Sequence, residues 1–422
     1  MISIEKIRNN LEYVKNQLAL KGDPKSVDTI ISLDKSYRSY ISKSNELRAK
    51  RNQVSDKISA AKKSGDTADK DIKDMRTVGE EIKSIEENAN EIKSKLDELL
   101  LRLPNLPHES TPEGKDETEN KLIREWGEET KTDYELKTHL ELGDDLDLFD
   151  FEAAAKISGS GFPLYKDKGA RLERALINYM LDFQTKNHGY TEIFPPFMVR
   201  DSSPLTTGNL PKFSDDMYYI QSDELWMIPT AEVPITNLHQ NEILSEDQLP
   251  LKYAAYSACF RREAGSHGKD TKGLLRLHQF NKVELVQFVK PENSYEVLEE
   301  LTANAEDILQ SLGLKYRVIE LCSGDLSFAA AKCYDLELWA PAEKKWLEVS
   351  SCSNFESFQA RRGNIRYRNS KDNNIEFVHT LNGSGVATPR LLVSLLETYQ
   401  NSDGSISIPK PLQPYIGLEV ID

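Results

Sequence analysis

Residues 260–284 read Phe-Arg-Arg-Glu-Ala-Gly-Ser-His-Gly-Lys-Asp-Thr-Lys-Gly-Leu-Leu-Arg-Leu-His-Gln-Phe-Asn-Lys-Val-Glu and run on into Leu285-Val286-Gln287-Phe288. The pattern predicts strand, polar loop, strand. Arg261 and Glu263 stand where the first strand ends, and Glu284 lies inside the apolar run of the second. A charge buried in a strand costs several kcal/mol unless it meets a partner (about 3–5 kcal/mol when a pair is broken). Charges so placed point to a ligand. The plainer alternative is a hairpin carrying surface ion pairs.

The chain has 422 residues, enough for two or three domains, with 38% hydrophobic and 29% charged residues. No run approaches the roughly eighteen apolar residues of a membrane span. Met1 to Lys21 carries Glu5 and Glu12 and reads neither as a secretory signal nor as a transit peptide. The four cysteines, Cys259, Cys322, Cys333 and Cys352, form no C-x-x-C pair. They read as isolated reduced thiols of a cytoplasmic protein. A net charge of −15 argues against indiscriminate nucleic-acid binding, so any RNA contact needs a local basic surface.

Two heptad strings follow a short amphipathic helix expected over Ile4 to Leu20. The first runs Ile30, Leu33, Tyr37, Tyr40, Ser44, Leu47, Arg51, Val54, Ile58, Ala61; the second runs Met75, Val78, Ile82, Ile85, Ala89, Ile92, Leu96, Leu99, Leu103. With the turn-rich break Lys62–Thr67 between them, they predict an antiparallel coiled coil, with Ser44 and Arg51 as weak seam positions. From Lys43 to Lys63 there are seven cations, Lys43, Arg48, Lys50, Arg51, Lys57, Lys62 and Lys63, against Glu46 and Asp56. The second helix is acidic. Pro104 to Gly114 reads as a linker, and mixed α/β sequence starts near Lys121. Ala170 to Gln184 predicts a helix, followed by a strand that ends at Pro195-Pro196. Phe377–Leu381 predicts a strand, Asn382–Gly385 a glycine turn, and Pro389–Gln400 a helix headed by Arg390. No G-x-G-x-x-G follows a strand in a βαβ unit, so the fingerprint of a Rossmann fold is missing.

The string from Phe260 to Phe288 resembles the second motif of class II aminoacyl-tRNA synthetases, in its seryl-tRNA synthetase wording. The helix–strand–proline element resembles motif 1, and the segment ending in Arg390 resembles motif 3, with Pro389 where the family commonly has glycine. Proline suits a first helical turn. The resemblance, of bacterial type, spans essentially the whole chain. It implies an α+β protein: an N-terminal tRNA-binding domain with a coiled-coil arm over 1–106, and a catalytic domain over 107–422 built on an antiparallel sheet flanked by helices. It further implies activation of L-serine with ATP and Mg²⁺, transfer to tRNA(Ser) and by family tRNA(Sec), and a homodimer.

Residue roles come with the resemblance. Arg261, Glu263 and Arg390 are the catalytic set: Arg261 for the α-phosphate and the substrate carboxylate, Glu263 for the adenine amino group, and Arg390, with Arg276 beside it, for the γ-phosphate. Arg262, Leu277, Phe280, Glu348, Val349, Ser350 and Ser351 complete the ATP set, with Phe280 stacking on the base. Glu348 and Ser351 also match the family's Mg²⁺ segment, and oxygen ligands suit that ion. The alternation with Leu347 and Val349 puts Glu348 on the opposite sheet face from them. Thr230, Ala231, Glu232, Glu284 and Ser384 surround serine, and Thr207–Phe213 matches a loop near the nucleotide. Lys43, Arg48, Lys50, Arg51 and Lys57 contact tRNA backbone phosphates. His188, His239, His267 and His278 have no metal spacing and read as surface or core residues. The rivals are a non-catalytic paralogue, which would have lost Arg261, Glu263, Glu348 or Arg390; an amino-acid:carrier-protein ligase, which would not need the arm; and a threonine or proline sibling, disfavoured by Thr230-Ala231-Glu232.

Overall fold

The computed structural model describes every residue except 23–25, 66, 130 and 265–271. Gly265 and His267 of the quoted stretch, and Asp66 of the helical break, therefore lie outside the described residues. The chain divides into two units, Met1–Pro104 and Asn105–Asp422.

The first unit is helical. Helices α1 (Ile4–Asn9) and α2 (Leu11–Leu20) replace the single helix expected there, because Asn10 leaves helical geometry at φ −135°, ψ 47°. Asparagine competes readily with the helix for its own backbone. Helices α3 (Ser26–Ser64) and α4 (Asp69–Arg102) have 39 and 34 residues, or about 58 and 51 Å at 1.5 Å per residue. Their buried seam includes Ile30, Ile58, Ile82, Ile85, Ala89 and Leu96. Ser44 remains in the seam by donating to the Glu86 carboxylate at 2.9 Å, whereas Arg51 is exposed. Asp34 is buried as well, held by Arg8 from α1 and by Arg38 one turn on, at 3.0 and 2.9 Å.

The second unit is built on an eight-stranded sheet. Its strands are β1 (Lys121–Trp126), β2 (Thr191–Ile193), β3 (Leu251–Phe260), β4 (Gln279–Val289), β5 (Tyr316–Glu320), β6 (Lys332–Ala340), β7 (Lys345–Asn354) and β8 (His379–Ala387). They lie in the order β1-β5-β6-β7-β8-β4-β3-β2, antiparallel except for β2 on β3. Helices α5 (Asp167–Asn187), α6 (Ser294–Ser311) and α7 (Thr388–Tyr399) share one core with Val283, Leu285, Leu336, Leu381 and Val386. On the other face, Val286 and Phe288 of β4 pack with Ala231, Ile235 and Leu244. Strand alternation puts Lys282 and Glu284 on the same face as Val286 and Phe288, beyond the end of that second layer.

Two expectations are corrected. Asn382–Gly385 is not a turn: it is part of β8, paired with Val286, Leu285 and Glu284 of β4. Glycine is required there by close approach, since a Cβ on Gly383 would meet Cys352 Sγ at 2.8 Å. The segment after Pro104 is not a loose linker either. Asn105 is buried and donates to the Ala329 and Phe355 carbonyls at 2.9 Å each, and Leu106 and Thr111 are also buried.

Candidate active site

The β3–β4 hairpin opens a cleft of about 670 Å³. Its lining brings together Thr230, Glu232, Arg261, Glu263, Leu277, Phe280, Glu284, Glu348, Val349, Ser350, Ser351, Ser384 and Arg390, along with Thr207, Gly208, Asn209, Phe213 and Arg276. Residues as far apart as 207 and 390 meet here because β4, β7 and β8 are neighbours and α7 starts directly after β8.

Two expected residues are not in the lining. Ala231 is fully buried and packs with Ile235, Ala255 and Val286, so it shapes the loop from behind. Arg262 is exposed, and its backbone N–H donates to the Asp216 carbonyl at 2.9 Å. Alternation past the end of β3 turns it away from Arg261.

One end of the cleft is acidic. Thr230 Oγ1 donates to Glu284 at 2.5 Å, Asn382 Nδ2 donates to its other oxygen at 3.3 Å, and Lys282 is ion-paired with it. Glu232 accepts from Gln359 Nε2 at 2.6 Å. Burial, reinforced by the neighbouring Glu284, raises the Glu232 pKa to about 7. Ser384 contributes its carbonyl to Ser350 Oγ at 2.6 Å.

Arginines line the rest of the cleft, Arg261 near enough to Glu232 to lower its pKa. Arg261 Nε donates to the Pro229 carbonyl at 3.4 Å, and its guanidinium lies 5.1 Å from the centre of the Phe280 ring, a cation–π distance. Glu263, at φ 51°, is ion-paired with Arg276. Arg276 thus serves Glu263 here rather than standing free beside Arg390. Arg390 donates from Nε to the Leu275 carbonyl at 3.1 Å and from Nη1 to the Glu348 carbonyl at 2.9 Å. The Glu348 carboxylate is 3.7 Å from Nη1 and is exposed between buried Leu347 and Val349. Ser351 Oγ lies 3.1 Å from Cys333 Sγ and hydrogen-bonds Asp335 across the strand pair. Pro389 falls in the first turn of α7.

Lys282, Asn382 and Gln359 were not singled out from the sequence. The first two were within reach, because each lies two residues from a chosen position on the same strand face, Glu284 or Ser384. Gln359 carried no such signal. Of the histidines weighed in the sequence, His188 contacts Asp307 at 3.1 Å, His239 contacts Glu242 at 2.8 Å, and His278 donates from Nδ1 to the Arg261 carbonyl at 3.0 Å, while His267 lies outside the described residues.

On the helical hairpin, Lys43 and Arg48 are ion-paired with Glu81 and Glu86 at 3.2 and 2.6 Å. Hydrogen bonds from Ser44 and Arg48 lower the Glu86 pKa. Lys50, Arg51 and Lys57 are exposed and make no ion pair among the described residues.

Comparison with known proteins gives the family. Residues 1–107 match the family model of the seryl-tRNA synthetase N-terminal domain, and residues 215–399 match that of the class II tRNA synthetase core domain (G, H, P, S and T). The chain is 53% identical to the serine–tRNA ligase of Listeria welshimeri over 99% of its own length and 98% of that protein. It is 53% identical to that of Chloroherpeton thalassium over all of both chains. Among solved structures, the seryl-tRNA synthetase of Pyrococcus horikoshii complexed with ATP superposes with a TM-score of 0.94 at 40% identity, covering 100% of this chain and 99% of that one. Both family models, relatives matched over the whole length and the superposed structure converge: the chain belongs to the seryl-tRNA synthetase family of class II synthetases.

Proposed function

We propose that this chain is an ATP-dependent serine–tRNA ligase. It activates L-serine to seryl-adenylate with release of pyrophosphate, then transfers serine to the 3′ end of tRNA(Ser) and, by family resemblance, tRNA(Sec). The observation that carries this reading is the two-ended cleft, with Glu232, Glu284 and Thr230 at one end, Arg390 and Glu348 at the other, and Arg261 in the same lining.

Glu232 and Glu284 hold the substrate ammonium, with Thr230 and Ser384 beside them, and the polar groups of that end reject amino acids lacking a matching hydroxyl. Arg261 has the planar fork that suits both a carboxylate and a phosphate. A serine carboxylate oxygen attacks the α-phosphorus, the bond to the bridging oxygen breaks, and pyrophosphate leaves with that electron pair. The terminal ribose hydroxyl of the tRNA then attacks the seryl carbonyl, loses its proton, and AMP departs. Arg261 and Arg390 stabilise the phosphate charge that develops. Phe280 and Leu277 face the base, and Glu263 accepts from its amino group.

The oxygen donors at the Glu348 end, a carboxylate exposed to the cleft and the Ser351 hydroxyl, fit Mg²⁺. When bound, the ion neutralises phosphate charge. A homodimer fits the apolar surface at Phe194 and Met198, which are 75% and 49% exposed beside β2. No described helix is long and apolar enough to cross a membrane. A cytoplasmic location accords with the four free cysteines.

ATP–pyrophosphate exchange tests the reading. Serine is expected to support exchange far better than alanine, threonine or glycine, and equal exchange with threonine overturns the serine assignment. Arg261→Ala is expected to lower the rate by about 10²–10³-fold, the size typical of a donor aimed at transition-state charge. Arg261→Lys recovers only part, since it keeps the charge and loses the fork.

A further inference from the structure

We propose that His139 is a positioning residue for the phosphate end of the cleft. Its ring fixes the backbone of Leu274–Leu277, and that backbone seats Arg390. The inference rests on the reading of Arg390 as a phosphate-binding group.

His139 opens the helix His139–Asp145, and its side chain is completely buried. Its Nε2 accepts the Leu274 N–H at 3.4 Å. The preceding residue, Gly273, has φ +57°, and a Cβ there would meet Nε2 at 2.4 Å. Only glycine lets the backbone come this close to the ring. One residue further on, the Leu275 carbonyl accepts from Arg390 Nε at 3.1 Å, and Leu274, Leu275, Arg276 and Leu277 all line the cleft. The network closes on the helix that bears Arg390. Glu397, on α7 and fully buried, accepts the His139 backbone N–H at 3.2 Å and the Ala342 and Glu343 N–H groups at 2.9 and 3.2 Å. Helix α7 therefore grips both the ring's own backbone and, through Arg390, the segment that the ring holds.

His139, Glu343 and Glu397 could also be read as a metal site, since their ligand atoms lie within 4.8 Å of one another. The hydrogen bonding opposes this. Because Leu274 donates to Nε2, the ring hydrogen sits on Nδ1, which makes no hydrogen bond among the described residues and lies 3.6 Å from the Glu343 and Glu397 carboxylates. A metal on Nδ1 would put hydrogen on Nε2, facing the Leu274 N–H donor. The bonds that are made, Leu274 to Nε2 and three backbone N–H groups to Glu397, tie segments of the chain together.

The test is ATP–pyrophosphate exchange on the full-length protein carrying His139→Leu, His139→Gln, Arg390→Ala, and the double variant His139→Leu/Arg390→Ala. His139→Leu is expected to raise KM for ATP about tenfold, the scale of one lost hydrogen bond, with KM for serine changed less than about twofold. His139→Gln, which keeps an acceptor, restores most of the affinity. Because His139 acts through Arg390, the double variant is expected to be little worse than Arg390→Ala alone. A lowered Tm with both KM values unchanged, or additive losses in the double variant, overturns the proposal and leaves His139 a core residue. If His139→Leu does not fold, Gly273→Ala serves instead: it displaces the same segment and is expected to raise KM for ATP selectively, and an unchanged KM overturns the proposal. Near-full exchange in Arg390→Ala would sink the underlying phosphate reading, an outcome distinct from a failure at His139 alone.

Discussion

Glu232 and Glu284 share one end of the cleft, and two carboxylates so close cannot both ionise freely without a cation. Lys282 and the Thr230 and Asn382 donors bond Glu284, while Glu232 has the amide of Gln359 and the weaker pull of Lys282 and Arg261, which do not offset burial and leave its pKa at about 7. An ammonium ligand needs Glu232 ionised. In the free protein kcat/KM for serine is therefore expected to fall as pH drops below about 7 and to level off above it. Glu232→Gln is expected to weaken serine binding and to remove that inflection; an inflection retained in the variant assigns it to another group. For stability the sign is opposite. The folded state holds this proton more tightly than the unfolded chain, so the contribution is full below the ordinary glutamate value of 4.5 and is lost as pH rises through about 7. Arg261, Glu284 and Glu348 could be read from sequence because a charge within or at the end of an apolar strand is conspicuous. Ala231 misled because a tripeptide match does not say which of three consecutive side chains turns inward. Glu397 and His139 gave no signal at all, since their partners are 54 or more residues away in sequence.

Periodicity carried the long elements and failed where packing outweighs it. The heptads of α3 and α4 are legible because a seam repeats a single contact many times. The glycines of β8 read as a turn because the sequence does not reveal that Cys352 and Leu285 press on that strand. The Asn10 break passed unseen because one asparagine is a weak helix breaker. Within the hairpin, Lys43 and Arg48 are ion-paired with acids of α4, while Lys50, Arg51 and Lys57 make no ion pair among the described residues, although Arg51 lies close enough to Glu86 to lower its pKa. The last three are therefore the stronger candidates for phosphate contact. Replacing them together with glutamine is expected to weaken tRNA binding and to flatten its salt dependence by about two to three units of log–log slope. Serine exchange should be unchanged. Arg51 is exposed, so helix content measured by circular dichroism should hold. An unchanged salt slope in a folded variant would mean that the charges only solvate the coil.

At the scale of the whole chain, the two units each carry their own core: the α3–α4 seam in one, the sheet and its helices in the other. Every residue of the serine and phosphate ends lies between Thr207 and Arg390, within the second unit. Adenylate formation should therefore not need the helical hairpin, whereas tRNA charging should. Removing about Val27 to Leu101 with a short splice is expected to leave serine-dependent ATP–pyrophosphate exchange within a few-fold of the intact protein, because the described lining residues of the cleft all lie between Thr207 and Arg390. The same deletion should reduce aminoacylation by orders of magnitude, since it takes away Lys50, Arg51 and Lys57 and the electrostatic share of affinity they supply. Measured on one preparation with its thermal transition recorded, the two assays separate the functions: loss of exchange in a folded deletion protein would show that the hairpin supports the catalytic unit itself, and full aminoacylation would show that tRNA is gripped elsewhere.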